Sequence, residues 1–183
     1  MNPDDVQILF AHLQTSLVAS SRTVPPEPLA AAATALADVG AYLGLPMTFA
    51  VVPEQGDLIP GLAAHATEAT AFPRHAASPF LDPATRAALG KSGRKTLVIA
   101  GFATEVATLN ACLDAMAAGY AVHLPVDAVG GLSERTEAAA LKQVERAGGI
   151  VTCVRSLASR LAPDFAVPPG SEVFAILQAR LPT

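Results

Sequence analysis

Residues 95–128 read KTLVIAGFATEVATLNACLDAMAAGYAVHLPVDA, and the order of residue types in this stretch decides the fold. Thr96–Ala100 is a short apolar run of strand composition, and Gly101 interrupts it. Ala103–Thr104–Glu105 then opens a helix, with the Thr104 hydroxyl as the N-cap candidate and an acid behind it. The helix is predicted over Thr104–Ala118, and a second strand follows at Ala121–Pro125, closed by Asp127–Ala128. Strand, helix and strand in this order make a crossover unit of a parallel sheet.

Working outward, further apolar runs at Gln7–Ala11, Met47–Val52 and Ile150–Val154 read as strands, with a short edge strand near Glu68–Phe72. Segments of helical period lie between most of them, at Pro28–Leu43, Pro83–Leu89 and Glu134–Ala147, the last closed by Gly148–Gly149. Alternation of this kind specifies an α/β protein of about six strands. Pro163, Pro168 and Pro169 break the chain after the last strand, and Val173, Phe174, Ile176, Leu177 and Leu181 then recur at helical spacing. The expectation is an α/β domain over residues 1–162 and a Pro-separated C-terminal arm over 163–183. That arm could fold back on its own subunit or dock on a neighbour.

At 183 residues the chain has room for one substantial core. Half of it, 51%, is hydrophobic and only 15% is charged, so apolar surface should remain for self-association into a homo-oligomer. A net charge of −4 with dispersed Lys and Arg offers nucleic acid no basic footprint. No apolar run approaches the roughly 18 residues of a membrane span, and acids at Asp4 and Asp5 stand where a leader would carry bases, so a cytoplasmic location is expected. Asp4 and Asp5 themselves read as solvated residues at the far end of the first strand. Cys112 and Cys153 lie in apolar segments without ligand spacing and read as reduced core cysteines.

The central stretch resembles the isochorismatase-like, or cysteine hydrolase, superfamily, whose pattern runs Gly–x–(Ala/Thr)–Thr–(Glu/Asp)–x–Cys into a helix ending near Gly–Tyr. Gly101, Ala103, Thr104, Glu105, Asp114, Ala115, Gly119 and Tyr120 match it, and the position of the nucleophilic cysteine holds Ala107. The register extends over most of residues 6–160 and is closest to the short, oligomeric branch of bacterial hydrolases. The resemblance implies a three-layer, doubly wound sheet, mostly parallel, with six strands in the order 3-2-1-4-5-6 and helices on both faces. It also implies a non-proline cis peptide near Phe102–Ala103 and an oxyanion hole built from the backbone N–H groups of Ala103 and Ala107.

The other family positions change as well. Ile8–Gln14 matches the apolar strand that leads to Asp–x–Gln, with Gln14 retained and His12 in place of the aspartate base. The family's Lys–x–x–x–Ser–x–Phe finds Arg74, Ser78 and Phe80, so Arg74 stands at the lysine position. Thiol-dependent hydrolysis needs an atom that can attack a carbonyl, and alanine has none. Cys112 is no substitute: five helical residues turn the chain by about 140° and carry it about 7.5 Å onward.

The implied ligand-binding set is therefore His12, Arg74, Ala103 and Ala107, with no catalytic residue assigned and the triad positions degenerate. It suits a small-molecule ligand, for instance a carboxylate, held by a guanidinium fork beside a helix N-terminus. The alternative is a cysteine-independent hydrolase of the isochorismatase, vinyl-ether type, with His12 as general acid and Arg74 as carboxylate clamp. No metal site is expected, because the Val52–Asp57 region where nicotinamidase-like relatives carry an Asp/His set has no histidine. No cofactor is expected either, since Gly–x–Gly–x–x–Gly is absent. His65, His75 and His123 read as structural, and Asp127 as a loop brace.

Overall fold

The computed structural model describes residues 1–181, so the last two positions of the C-terminal arm lie outside the described residues. Seven strands form one sheet: β1 Val6–Ala11, β2 Met47–Val51, β3 Ala71–Pro73, β4 Thr96–Phe102, β5 Ala121–Pro125, β6 Val129–Gly130 and β7 Ile150–Thr152. Their order is β3-β2-β1-β4-β5-β7, with all of these pairs parallel, and the two-residue β6 pairs with the end of β4. The expected six-strand order is thus present, with β6 as an addition. The helices are α1 Thr15–Val18, α2 Pro26–Tyr42, α3 Pro60–Ala63, α4 Pro83–Lys91, α5 Leu109–Ala117, α6 Glu134–Arg146, α7 Val154–Leu161 and α8 Gly170–Arg180. Among the described residues no helix is long and apolar enough to cross a membrane.

Strand residues point alternately to the two faces, and each face has its own core. Ile8, Phe10, Val98 and Ala100 pack with Leu29, Leu36 and Val39 of α2, Leu157 and Leu161 of α7, and Val173 and Leu177 of α8. Leu9, Leu97, Ile99, Val122 and Leu124 pack on the other side with Leu89 of α4, Ala111, Cys112 and Ala115 of α5, and Val144 of α6. Every residue of β1 is buried, which is why its sequence is a continuous apolar run interrupted only by Gln7. The Gln7 carboxamide is satisfied by donating to the carbonyls of Leu89 and Arg94. Phe10 and Phe49 stack across β1 and β2 with ring centroids 5.2 Å apart.

Several expected boundaries move, each for a local reason. The strand expected at Ile150–Val154 stops at Thr152, because both Asp127 carboxylate oxygens accept the Val154 N–H (2.9 and 3.2 Å) and start α7 there. Cys153 is consequently the half-buried N-cap of α7, rather than a core cysteine; Cys112 is fully buried in the core. Helix α2 begins at Pro26, two residues before the expected start, since proline is tolerated in a first turn that lacks hydrogen-bond acceptors for its N–H groups. The edge strand is Ala71–Pro73, shifted past the expected Glu68–Phe72. Asp5 is more than a solvated terminus: its carboxylate accepts from the Lys95 N–H (3.1 Å) and the Thr96 hydroxyl (2.7 Å), fastening the entry of β1 to that of β4. These bonds hold its carboxyl below the usual aspartate range.

Helix α8 of the arm lies against α2 and α7 of its own chain, burying Val173 and Leu177. Arg180 near its end donates through Nε to Asp38 Oδ2 of α2 (2.7 Å), and His65 contacts Asp38 Oδ1 at 2.8 Å.

Candidate functional site

The carboxyl ends of β3, β2, β1 and β4 lie side by side, and the loops that leave them carry the candidate residues. Gly101 allows the closest approach within this group. A Cβ there would stand 2.6 Å from the Ala11 carbonyl oxygen and 2.9 Å from the Thr108 hydroxyl, so only glycine lets β4 and the following turn close on β1. The Phe102–Ala103 peptide bond is cis, as the resemblance implies. Beyond it the chain makes a wide π-type turn over Thr104–Thr108 before settling into α5.

That turn is capped differently from the sequence expectation. The N-cap is Ala103, without a side-chain bond, and its carbonyl accepts from the N–H groups of Val106 and Thr108. The Thr104 hydroxyl instead donates to Glu137 Oε1 of α6 (2.7 Å). Glu105 Oε1 accepts from the Leu132 N–H and the Thr136 hydroxyl (3.0 and 2.8 Å). The turn is thus fastened to α6 from two consecutive residues. Among the described residues the Ala103 N–H has no hydrogen-bond partner. Ala107 lies within the turn and is buried. Burial pushes the Cys112 thiol up to about 12, which leaves it protonated and unreactive at neutral pH.

His12 follows β1 in the left-handed region (φ +60) and donates its N–H to the Ala50 carbonyl (2.9 Å). Arg74 follows β3, anchored by its N–H on the Val51 carbonyl (2.8 Å), and its side chain crosses the end of β2. Its Nε donates to the Ala76 carbonyl, and Nη1 meets His12 Nδ1 at 3.0 Å. Both residues are 7% exposed. A guanidinium only donates, so His12 Nδ1 accepts and the imidazole proton resides on Nε2. Nε2 is itself buried without a partner. Burial, and then the Arg74 charge, hold His12 far below its ordinary value, at about 3.

The ring is therefore neutral throughout the physiological range. A general acid at this position would work as the imidazolium, the form that burial here disfavours. Arg74 is drawn down to about 10 by burial, against the supporting charge of Asp82, and so stays cationic. It makes no ion pair among the described residues.

Arg74 lines a cavity of about 400 Å³ together with Val52, Pro53, Glu54, His75 and Ala76. A larger cleft of about 720 Å³ shares Val52, Pro53 and Glu54 and continues over Gln14, Leu58, Pro60 and Ala63. The wall common to both is held by Gln14, whose Nε2 donates to the Val52 and Gly56 carbonyls (3.0 and 2.6 Å) while Oε1 accepts the Val52 N–H (2.7 Å). Of the residues expected at the site, the fold brings His12 and Arg74 into direct contact. Ala103 and Ala107 lie at the end of the strand beside β1, and neither they nor His12 line either cavity, which of the four only Arg74 does. Sequence reading left out Glu54 and took His75 as structural; both face the cavity, and the only sequence signal was their adjacency to strand ends. Asp127 is the loop brace expected of it, and burial raises its carboxyl. His123 is buried within β5, with Nδ1 unpartnered. Among the described residues no three His, Cys, Asp or Glu side chains cluster as a metal-ligand set.

Comparison with known proteins agrees with this fold. YcaC of Pseudomonas aeruginosa, solved with hexane-2,5-diol and covalent acrylamide, superposes with a TM-score of 0.92 at 26% identity, over 100% of this chain and 92% of that one. Escherichia coli YcaC, described as an octameric hydrolase of unknown specificity, gives a TM-score of 0.93 at 25% identity over 100% and 91% of the two chains. A secreted isochorismatase effector of Phytophthora sojae, Isc1, is 31% identical over 88 residues, which are 48% of this chain and 42% of that protein. The chain thus matches less than half the length of that relative, and likewise of isochorismatase domain-containing protein 2 from Rattus norvegicus, where it covers 42%. The isochorismatase domain model matches residues 43–156, more than half of the sequence. With the fold and the central turn in agreement with that match, the chain belongs to the isochorismatase domain family.

Proposed function

We propose that this member of a hydrolase family binds a small anionic or carbonyl-bearing ligand between Arg74, His12 and the Ala103–Ala107 turn, without thiol-dependent hydrolysis. One observation carries the reading. Arg74 is a buried guanidinium with no carboxylate partner among the described residues, and it borders a cavity of about 400 Å³. A buried charge without a counter-charge is costly, so an entering anion would complete the site. The unpartnered Ala103 N–H and the start of the turn, at the end of β4 beside β1, also favour negative charge.

Benzoate or phosphate at about a hundredfold excess over its Kd is expected to raise Tm by roughly 5–10 °C, the equivalent of about 2.7 kcal/mol. Arg74→Ala should remove that shift. A wild-type protein indifferent to all small anions, or an Arg74→Ala protein that responds as wild type does, would sink the proposal.

The same reading makes the functional form a homo-oligomer in a reducing, cytoplasmic setting. Phe165, Val167 and Phe174 remain 38–51% exposed, with Phe165 and Phe174 stacked at 5.1 Å, and both cysteines are free. The octameric E. coli YcaC supports an assembly by likeness. Light scattering coupled to size exclusion should report a multiple of 18.7 kDa at micromolar concentration, and a monomer would contradict it.

A further inference from the structure

The cavity beside Arg74 and the cleft that adjoins it differ in charge. Arg74 and His75 line the cavity, and Arg74, with Nε and Nη1 taken up by the Ala76 carbonyl and His12 Nδ1, keeps Nη2 without a protein partner among the described residues. The cleft is lined by Glu54 and Asp57 and by no Lys, Arg or His among the described residues. Neither acid forms an ion pair there. Glu54 stands on the wall common to both spaces, while Leu58, Pro60, Ala63 and Ala66 give the cleft an apolar lining.

The two acids are carried on fastened backbone. Besides the Gln14 clamp on Val52 and Gly56, the Thr15 N–H donates to the Asp57 carbonyl (2.9 Å), the Ile59 N–H to the Leu13 carbonyl (3.0 Å) and the Ser16 hydroxyl to the Gln55 carbonyl. Arg74 is likewise tied by its two bonds and makes no ion pair with Glu54. A cation and two acids thus border adjoining spaces without neutralising one another.

Resting on Arg74 as the anion anchor proposed above, we infer that the ligand is dipolar, with a carboxylate on Arg74 and a protonated amine beside Glu54 and Asp57, joined by a short apolar chain. An ω-amino carboxylate has this form. Its carboxylate accepts from the guanidinium, its ammonium is drawn toward the two acids, and its methylene groups meet the apolar lining of the cleft. A dicarboxylate of the same length would satisfy Arg74 equally well, but its second charge would approach two carboxylates with no basic side chain at hand. A neutral hydroxyl falls between the two. The gain at the acidic end is modest, since Glu54 and Asp57 are exposed and both water and salt screen them.

Titration calorimetry on the intact protein with 5-aminopentanoate, 5-hydroxypentanoate and glutarate, and with their four- and six-carbon homologues, varies that end group while the other carboxylate stays the same. At a salt concentration of about 20 mM the amino acid should bind most tightly and the dicarboxylate least, by about threefold per step counted per carboxylate, at one chain length or more. Salt at about 0.5 M should shrink each step below about twofold, a result that needs no variant. Glu54→Gln combined with Asp57→Asn should bring the three affinities together, and Arg74→Ala should abolish binding of all three.

Equal affinities at every length, all lost in Arg74→Ala, would overturn this inference and leave the anion site standing, as would a dicarboxylate that binds most tightly. A preference for the amino acid that persists in the double variant would overturn the role given to Glu54 and Asp57. Binding of benzoate with none of the three series would remove the dipolar ligand alone. Failure of benzoate and phosphate as well would remove the anion site with it.

Discussion

Purified protein will release no ammonia from nicotinamide or benzamide above the uncatalysed background, and treatment with iodoacetamide will leave that result unchanged. Position 107, where the family resemblance places the nucleophile, holds a buried methyl group. The nearest thiol in sequence, Cys112, is sealed in the core with its pKa near 12, and Cys153 caps α7 beyond β7. Ala107→Cys alone is expected to stay inactive. Position 12, where the resemblance places the base, holds a histidine whose Nδ1 lone pair is committed to Arg74, and a base contributes on the order of 10²–10⁴ in rate. Combining it with His12→Asp and Arg74→Lys should raise ammonia release by at least about a hundredfold over the single variant. Wild-type turnover that disappears on alkylation would refute the argument.

The second large effect is on stability. Gly101→Val is expected to cost at least about 3 kcal/mol in urea denaturation, because the added Cβ would stand 2.6 Å from a carbonyl oxygen of the central strand, which has no rotamer to escape into. Gly90→Ala is the control. Gly90 lies in α4, with nothing within 4 Å of the added carbon, so the substitution should stabilise by about 0.5–1 kcal/mol. Equal effects at the two positions would mean that the approach of β4 to β1 is not tight.

Much of the architecture was legible because burial writes itself into composition. All six residues of β1 are buried, and so are all but the first of β4, so both appear as apolar runs, interrupted only by Gln7 and by Gly101. The helix start at Val154 was hidden, since it depends on a carboxylate 27 positions earlier. The two-residue β6 is too short to carry a period. At the site, residue identities were readable while their charge states were not. Nothing local to His12 says that its Nδ1 faces an arginine 62 positions away, and that contact makes it a neutral donor. The Gln14 clamp is likewise a meeting of side chain and distant backbone, invisible to spacing.

The left-handed backbone at His12 has an evolutionary consequence. At φ +60 a β-branched or bulky side chain is disfavoured, while glycine, Asn, Asp and His are the residues that enter this region with least strain. The peptide geometry thus acts as a filter on mutation before any selection for activity. Of the permitted set, Asp and His are joined by a single base change in the codon. A lineage could therefore have exchanged a carboxylate for an imidazole here in one step without disturbing the strand, and the chemistry of the site could drift while its scaffold stood still.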